Sequence, residues 1–151
     1  MIRVQANDFD LGAELKKMTA GNTSIGGMCS FVGLVRDMAD NDTISAMTLE
    51  YYPGMTEKAL VEIEHEAQVR WDLDKTLIIH RYGRMEPGEQ IDLVAATSPH
   101  REAAFEACRF LIDWLKTKAP FWKLEDTPDG GKWVDARTSD DEAASHWNKP
   151  N

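Results

Sequence analysis

Four consecutive residues in the second half of the chain could bind a small anion. Ser98-Pro99-His100-Arg101 is typical of a helix start, where unpaired backbone N–H groups attract negative charge. His100 and Arg101 would add donors there, and an arginine can bind a phosphate through two hydrogen bonds. An ordinary helix cap with a solvated arginine explains the same residues equally well, so both interpretations stay open.

Two lysines farther along the chain could act on a bound anion. Lys116 lies at the end of a predicted helix, where a cation is favourable in any case. Lys123 follows Pro120 and Trp122 in an apolar, strand-like segment, and a lysine partly removed from water is suited to catalysis. The two lysines are therefore a candidate catalytic pair, with helix-end stabilisation as the alternative for Lys116.

The other reactive residue types have simpler explanations. Cys29 and Cys108 fall on apolar positions, which favours core thiols over nucleophiles. Arg36 opens a polar loop after an apolar strand, which is a common place for a ligand-binding residue and equally for an exposed arginine. The histidines lack metal-ligand spacing, and two cysteines are too few for a four-ligand zinc site. We therefore predict no metal and no bound cofactor.

Length, composition and charge limit what these residues could serve. The 151 residues are 42% hydrophobic with a net charge of -9, which is typical of one globular domain and disfavours general nucleic-acid binding. Residues 98–123 carry five basic and three acidic side chains and are therefore net positive in an acidic chain. This local positive charge could bind a small anion, or it could simply be a solvated helix surface. No apolar run reaches the roughly 20 residues of a membrane span, and no signal-peptide core is present, so we expect a cytoplasmic protein.

Hydrophobic periodicity predicts the elements that must position these side chains. A short helix is expected around residues 11–18, and two long amphipathic helices over 54–71 and from Ser98, as the N-cap, to Pro120. Strands are expected at 2–5, 28–35, 44–52, 76–84 and 91–97, with the third pairing with the second, and a hairpin turns at Asp129-Gly130-Gly131. We predict an α+β fold with a mostly antiparallel sheet and two long helices, over one domain of residues 1–137 followed by a loosely held polar tail over 138–151.

Several segments together resemble one known family. They are Phe31-Val32-Gly33-Leu34-Val35-Arg36, Leu49-Glu50-Tyr51-Tyr52-Pro53-Gly54-Met55, His80-Arg81-Tyr82-Gly83, Ser98-Pro99-His100-Arg101, and Leu115-Lys116 with Pro120-Phe121-Trp122-Lys123-Leu124-Glu125. In this order they resemble the large, catalytic subunit of molybdopterin synthase, from about residue 3 to residue 137. The most specific part of the resemblance is the combination of Ser98-Pro99-His100-Arg101 with the segment that contains Lys116 and Lys123.

The resemblance implies an α/β-hammerhead-like fold and a sulfurtransferase. The family converts cyclic pyranopterin monophosphate into molybdopterin by inserting the two sulfur atoms of the dithiolene. Sulfur arrives as a thiocarboxylate on the C-terminal Gly-Gly of a small ubiquitin-like partner. The large subunit forms a homodimer with one small subunit at each end, which makes a heterotetramer. A non-enzymatic module that binds a ubiquitin-like tail or an anionic metabolite, and an acyl- or phosphoryl-transfer enzyme, remain the alternatives.

The residue-wise match also implies individual roles. Lys116 would lie beside the thiocarboxylate and Lys123 beside the pterin, as the catalytic residues. The remaining matched residues would bind the substrate or line the site: Leu34, Val35, Arg36, His100, Arg101, Leu124, Glu125 and, at the rim, Arg137.

Helix geometry adds a constraint on such a site. Arg101 would open the second long helix and Lys116 would close it, which separates them by roughly 23 Å at 1.5 Å per residue. A pterin monophosphate is only about half that long, so one chain cannot easily place both residues on one substrate. We therefore expect a two-fold dimer in which the second copy completes the site.

Overall fold

The computed structural model describes residues 1–39, 42–43, 45–128, 130–134 and 138–148. Its helices are α1 (Leu11–Thr19), α2 (Met55–Arg70), α3 (Arg101–Lys118) and α4 (Thr138–His146). Its strands are β1 (Ile2–Gln5), β2 (Gly27–Leu34), β3 (Met38–Ala39), β4 (Asp42–Thr43), β5 (Ala46–Tyr51), β6 (Thr76–Arg81), β7 (Gly83–Met85), β8 (Gln90–Ser98), β9 (Phe121–Thr127) and β10 (Gly130–Val134). The predicted α+β class, with mostly antiparallel pairing and two long helices, is confirmed.

The first sheet has the strand order β1-β6-β8-β2 and is covered on both faces. Only the β1–β6 pair is parallel among the pairs of this sheet. Side chains of β8 alternate between the faces, as strand geometry requires: Val94 packs with α2 and α3, whereas Leu93 and Ala95 pack with α1. Because both faces are covered, every residue of β8 after Gln90 is buried.

The two long helices meet over one face of the first sheet. Their buried side chains form one core with Ile78 and Val94 of the sheet, and they are Leu60, Ile63, Ala67, Cys108, Phe110, Leu111 and Leu115. The first residue of α2, Met55, is apolar but 59% exposed. Thr56 is buried there instead, and its hydroxyl donates a 2.8 Å hydrogen bond to the carbonyl of Pro120.

The second sheet has the order β10-β9-β5-β7. The prediction that the strand at 44–52 pairs with the preceding strand is wrong, because β5 lies between β7 and β9 while β2 pairs with β8. Alternation in a strand identifies its buried face but not its neighbour, so the sequence pattern could not distinguish these pairings. The predicted hairpin is confirmed as β9 and β10, with Asp129 itself outside the described residues.

A sharp turn transfers the chain from the first sheet to the second. The strand expected over 76–84 is divided into β6 and β7, and Gly83 after the break has a φ of 94°. Glycine adopts this left-handed conformation without the steric penalty of a Cβ. The polar loop expected from Arg36 onward contains the short strands β3 and β4, which pair with each other.

The second long helix begins two residues later than predicted. Ser98 is the last residue of β8, His100 is the N-cap and Arg101 is the first residue of α3. The Ser98 hydroxyl accepts a 3.2 Å hydrogen bond from the backbone N–H of His100 and donates one of 2.8 Å to the carbonyl of Asp72. The Ser98 side chain therefore binds a backbone N–H at the start of α3, as a capping residue does. The Ser98 backbone, however, belongs to strand β8.

Residues 138–148 pack on the core, in contrast to the loose tail that we expected. Trp147 is 7% exposed and belongs to the core between α2 and α3. Its indole N–H donates a 2.8 Å hydrogen bond to Asp113, and its carbonyl accepts one of 2.6 Å from Arg70. The polar composition concealed this docking because it rests chiefly on one aromatic side chain.

Among the helices of the described residues, none combines the length and apolarity needed to span a membrane.

Candidate active site

A groove of about 540 Å³ opens beside the C-terminal end of α3. Apolar side chains form much of its lining, namely Phe31, Leu34, Met47, Leu49, Ile91, Leu115 and Phe121. Three cationic side chains, Arg36, Lys116 and Lys123, line the same space, together with His80 and one carboxylate, Asp140 of α4. A cleft with apolar walls and a few convergent charged groups is a typical binding site for a small molecule, and the excess of cations here favours a ligand that carries negative charge.

Three different elements bring these cations together. Arg36 follows the end of β2, Lys116 lies in the last turn of α3, and Lys123 is the third residue of β9. Pro120 cannot continue the helix, so the chain turns directly from α3 into β9. Strand alternation then directs Phe121 and Lys123 to the groove and Trp122 to the opposite face.

A buried carboxylate holds Lys116 in place. The Lys116 ammonium donates a 2.7 Å hydrogen bond to Oδ2 of Asp92, which is 0% exposed, whereas the Lys116 side chain is 35% exposed. The other oxygen of Asp92 accepts a 3.0 Å hydrogen bond from the backbone N–H of Gly33. A Cβ at residue 33 would collide with that oxygen, so the close approach requires glycine.

Asp92 is ionised at neutral pH despite its burial. Burial by itself would raise the pKa of the carboxyl, because the charged form loses its hydration. The positive charge of Lys116 and the hydrogen bonds from Lys116 and Gly33, joined at acid pH by the charge of protonated His80, outweigh burial and hold the pKa of Asp92 below its ordinary value. The groove therefore has a buried anion directly beneath one of its cations.

His80 lies on the other side of this carboxylate. Its Nε2 is 3.7 Å from Oδ2 of Asp92, and its ring stacks on Phe121 with a centroid distance of 3.7 Å. Burial, together with the nearby charge of Lys116 and despite that of Asp92, lowers the pKa of His80 to about 4. The ring is neutral at pH 7, so Nδ1–H donates the 2.8 Å hydrogen bond to the carbonyl of Arg81 and Nε2 is left as an acceptor.

We expect His80 to make stability depend on pH between about 6.5 and 4. The unfolded chain takes up a proton on this histidine near pH 6.5, whereas the folded chain resists protonation until about pH 4. The free energy of unfolding should therefore decrease as the pH falls through this window, by up to about 3 kcal/mol. Denaturant unfolding at pH 7 and at pH 4.5 measures the decrease. It should be smaller in His80→Gln, and an equal decrease in both proteins would contradict the assignment.

Lys123 has an ion-pair partner, whereas Arg36 has none among the described residues. The Lys123 ammonium lies 3.3 Å from Oε1 of Glu125, which is buried on the same face of β9. Glu125, predicted as a lining residue, thus contacts the groove through Lys123. Arg36 has no ion-pair partner among the described residues, which leaves its guanidinium free to bind a ligand anion.

Other predicted site residues lie away from the groove. Val35 is buried in the apolar cluster beneath it. Leu124 lies on the opposite face of β9, where it is close to Gly131. His100 and Arg101 are exposed at the other end of α3, and the 18 residues of this helix separate its ends by roughly 27 Å. Arg137 lies outside the described residues.

Asp92 and His80 are the site residues that the sequence analysis missed. A signal was present, because Asp92 interrupts the apolar run Ile91-Asp92-Leu93-Val94 within a predicted strand. A carboxylate inside such a strand is costly unless it has a charged or hydrogen-bonding partner. Its position opposite a lysine could not be recognised without the packing of α3 on β8.

The two cysteines are neighbours in the core and do not line the groove. Burial, and secondarily the adjacent Cys29, raise the pKa of the Cys108 thiol. A thiol of raised pKa is a poor nucleophile, and the packing of Cys108 in the core with Cys29 against it supports the prediction that these are core residues. Within the described ranges, no three His, Cys, Asp or Glu side chains are grouped so that they could hold a metal ion.

Comparison with known proteins covers nearly the whole chain. The family model described as MoaE protein matches residues 4–118. The chain is 54% identical over 146 residues to the molybdopterin synthase catalytic subunit of Ralstonia nicotianae, covering 97% of this chain and 83% of that protein. It is 54% identical to the Pseudomonas aeruginosa protein of the same name, with 97% of both covered. A solved structure of a molybdopterin biosynthesis MoaE protein from Burkholderia ambifaria is 51% identical, with a TM-score of 0.84 and 99% of both chains covered.

Proposed function

Because this chain belongs to the MoaE protein family, which includes molybdopterin synthase catalytic subunits, we propose that its groove transfers sulfur to a pterin. The chain is a sulfurtransferase of molybdenum cofactor biosynthesis. The observation that carries the proposal for the groove is the convergence of Arg36, Lys116 and Lys123 on one apolar cleft. The substrate that we propose, cyclic pyranopterin monophosphate, combines a flat ring system with an anionic phosphate and matches this lining.

Sulfur enters the groove as the C-terminal thiocarboxylate of a small ubiquitin-like carrier subunit. In each transfer the thiocarboxylate sulfur forms a C–S bond to a pterin carbon in place of a C–O bond, and water cleaves the C–S bond to the carrier, whose C-terminus becomes a carboxylate. One of these replacements opens the cyclic phosphate, and two transfers make the dithiolene. The sulfur is already reduced, so the enzyme itself needs no thiol nucleophile. The enzyme must supply positive charge beside two anions, the thiocarboxylate of the carrier and the phosphate of the substrate, while sulfur is transferred.

The three cations divide this work. Lys116, held at 2.7 Å by Asp92, stabilises the thiocarboxylate and can pass a proton to the reacting group. Lys123 lies beside the pterin ring, close to the aromatic side chain of Phe121. Arg36, which has no ion-pair partner among the described residues, binds the phosphate through its planar guanidinium.

A second copy of the chain completes the site. His100 and Arg101 are exposed and distant from Lys116 within one chain, so they can serve the same substrate only from a partner. In a two-fold dimer, each chain supplies its His100 and Arg101 to the groove of the other chain. One carrier bound at each of the two grooves makes a heterotetramer. A cytoplasmic location belongs to the same proposal, since a reducing compartment suits the two free thiols.

Turnover with defined components tests the proposed function. The chain is incubated with cyclic pyranopterin monophosphate and with the carrier, either thiocarboxylated or with its ordinary carboxylate, and the dithiolene product is detected. Product should form only with the thiocarboxylated carrier. Absence of product with that carrier, or equal product with both carriers, would contradict the function.

Replacing both cysteines should affect stability and leave turnover near the wild-type rate. The Cys29→Ala, Cys108→Ala double variant loses one buried and one partly buried thiol, for which we expect a decrease of about 1–2 kcal/mol in the free energy of unfolding. Denaturant unfolding and the product assay measure the two effects separately. A folded double variant without activity would indicate a protein persulfide in the reaction.

A further inference from the structure

We infer that Asp92 is a positioning residue, which fixes the ammonium group of Lys116 at the wall of the groove. The inference rests on the proposed function, since it gives Asp92 a part in the same reaction. Asp92 itself does not line the groove, so any effect on the substrate must pass through Lys116.

The carboxylate lies between two strands, and one of them binds it independently of Lys116. Asp92 is paired in register with Gly33 of β2 on one side and with His80 of β6 on the other. The N–H of Gly33 binds one oxygen at 3.0 Å, and the missing side chain at this glycine leaves the room that the oxygen occupies. Oδ2 is thereby directed to α3, where it meets the ammonium of Lys116 at 2.7 Å.

The groups around Oδ2 accept hydrogen bonds but do not supply a second cation. Neutral His80 presents an acceptor nitrogen 3.7 Å from Oδ2, and its N–H is used by the carbonyl of Arg81. Among the described ion pairs, Asp92 has Lys116 as its only lysine or arginine. A position lined by a carboxylate and an imidazole acceptor selects an ammonium and orders an otherwise flexible side chain.

Stability does not explain a carboxylate at this position. Asp92 is fully buried between Ile91 and Leu93 in an apolar strand, and replacing a buried ion pair by apolar residues is often neutral or stabilising. Lys116 is partly exposed and could be hydrated without its partner. What the carboxylate adds is a fixed location for the ammonium, and preorganised charge is what a transfer reaction uses.

The test is Asp92→Asn in the complete enzyme with thiocarboxylated carrier and cyclic pyranopterin monophosphate. Asparagine keeps the oxygen that binds Gly33 but presents an amide, or an uncharged oxygen, to the lysine. We expect kcat to fall roughly tenfold or more, because misplacing a catalytic group by about 1 Å can have effects of this size. KM for the pterin should stay within about twofold, since the ligand-binding cations at Arg36 and Lys123 are unchanged.

Glu14→Gln provides the matched control. Glu14 is also a buried carboxylate in an ion pair, with Arg3, but it lies on α1 at the opposite face of the first sheet. This variant should keep the wild-type kcat. Should Asp92→Asn not fold, Asp92→Val fits the apolar strand and should show the same loss of kcat with unchanged KM.

A double variant separates positioning of Lys116 from any general structural role. Asp92→Asn added to Lys116→Ala should not lower the residual rate further, because the group that Asp92 positions is already gone. A further decrease by the same factor as in the wild-type background would overturn the inference, as would a kcat within about twofold of wild type in folded Asp92→Asn. Absence of turnover in the wild-type enzyme would instead contradict the proposed function.

Discussion

Replacing Lys116 with alanine should reduce product formation by about 100- to 1,000-fold, the usual effect of removing one preorganised group that stabilises developing charge. Lys116 faces the groove from the last turn of α3 and is the cation that we place beside the thiocarboxylate. The reduction should appear in kcat measured with thiocarboxylated carrier and the cyclic pterin. Lys123→Ala should also be severe, because it removes the second lysine of the same groove.

The same variant should lose some stability. A cation at a helix end contributes only about 0.3–1 kcal/mol, but here its removal also leaves the buried Asp92 without its partner. Because the Lys116 side chain is 35% exposed, we expect about 1–3 kcal/mol rather than the full penalty of a buried pair. Adding Asp92→Asn should restore stability without restoring turnover, which separates the two effects.

Lys118→Ala is the control for this prediction. Lys118 lies in the same last turn of α3, but it is directed over the ring of Trp114 at 5.4 Å and does not line the groove. Its replacement should leave kcat within about twofold of wild type. Near-normal turnover in Lys116→Ala, or a larger loss in Lys118→Ala, would remove Lys116 from the reaction.

Two inactive variants should restore activity to each other when their subunits exchange. Lys116→Ala and Arg101→Ala each lack one group of a site that we propose is built from two chains. In the mixed dimer, one of the two sites has its lysine from one chain and its arginine from the other, both intact. Random exchange should therefore recover about a quarter of the wild-type activity.

The matched control mixes Lys116→Ala with Lys123→Ala. Both lysines line the groove of the same chain, so every site in the mixed dimer lacks one of them. No activity should return in this mixture. Exchange itself is followed by mass spectrometry of chains that carry different tags. Complete exchange without recovered activity in the lysine–arginine mixture would contradict the shared site and leave His100 and Arg101 with a role in the fold alone.

Elements with strong local signals could be predicted from the sequence. The two long helices follow from apolar spacing, and the β9–β10 hairpin follows from its glycines. Strand partners could not be predicted, since β5 has an alternating pattern that fits several neighbours. The docking of Trp147 was missed for a related reason, because a single aromatic residue in a polar segment has no period to detect.

The candidate site likewise contains residues that could be predicted from the sequence and residues that could not. Lys116, Lys123 and Arg36 could be found because their residue types and positions at element ends suggest anion chemistry, and all three line one groove. Asp92 and His80 could not be assigned, because their importance depends on strands β6 and β8 lying side by side beneath α3. Contacts between elements that are distant in sequence are therefore what the structure adds to the site.

The origin of the sulfur atoms tests the central claim most directly. The wild-type enzyme is given cyclic pyranopterin monophosphate and a carrier whose thiocarboxylate contains a heavy sulfur isotope, and the masses of product and carrier are measured. We predict that both dithiolene sulfurs carry the label and that one carrier is converted to its carboxylate form for each sulfur transferred. Unlabelled sulfur in the product, or release of the label without product, would contradict direct transfer from the carrier in this groove.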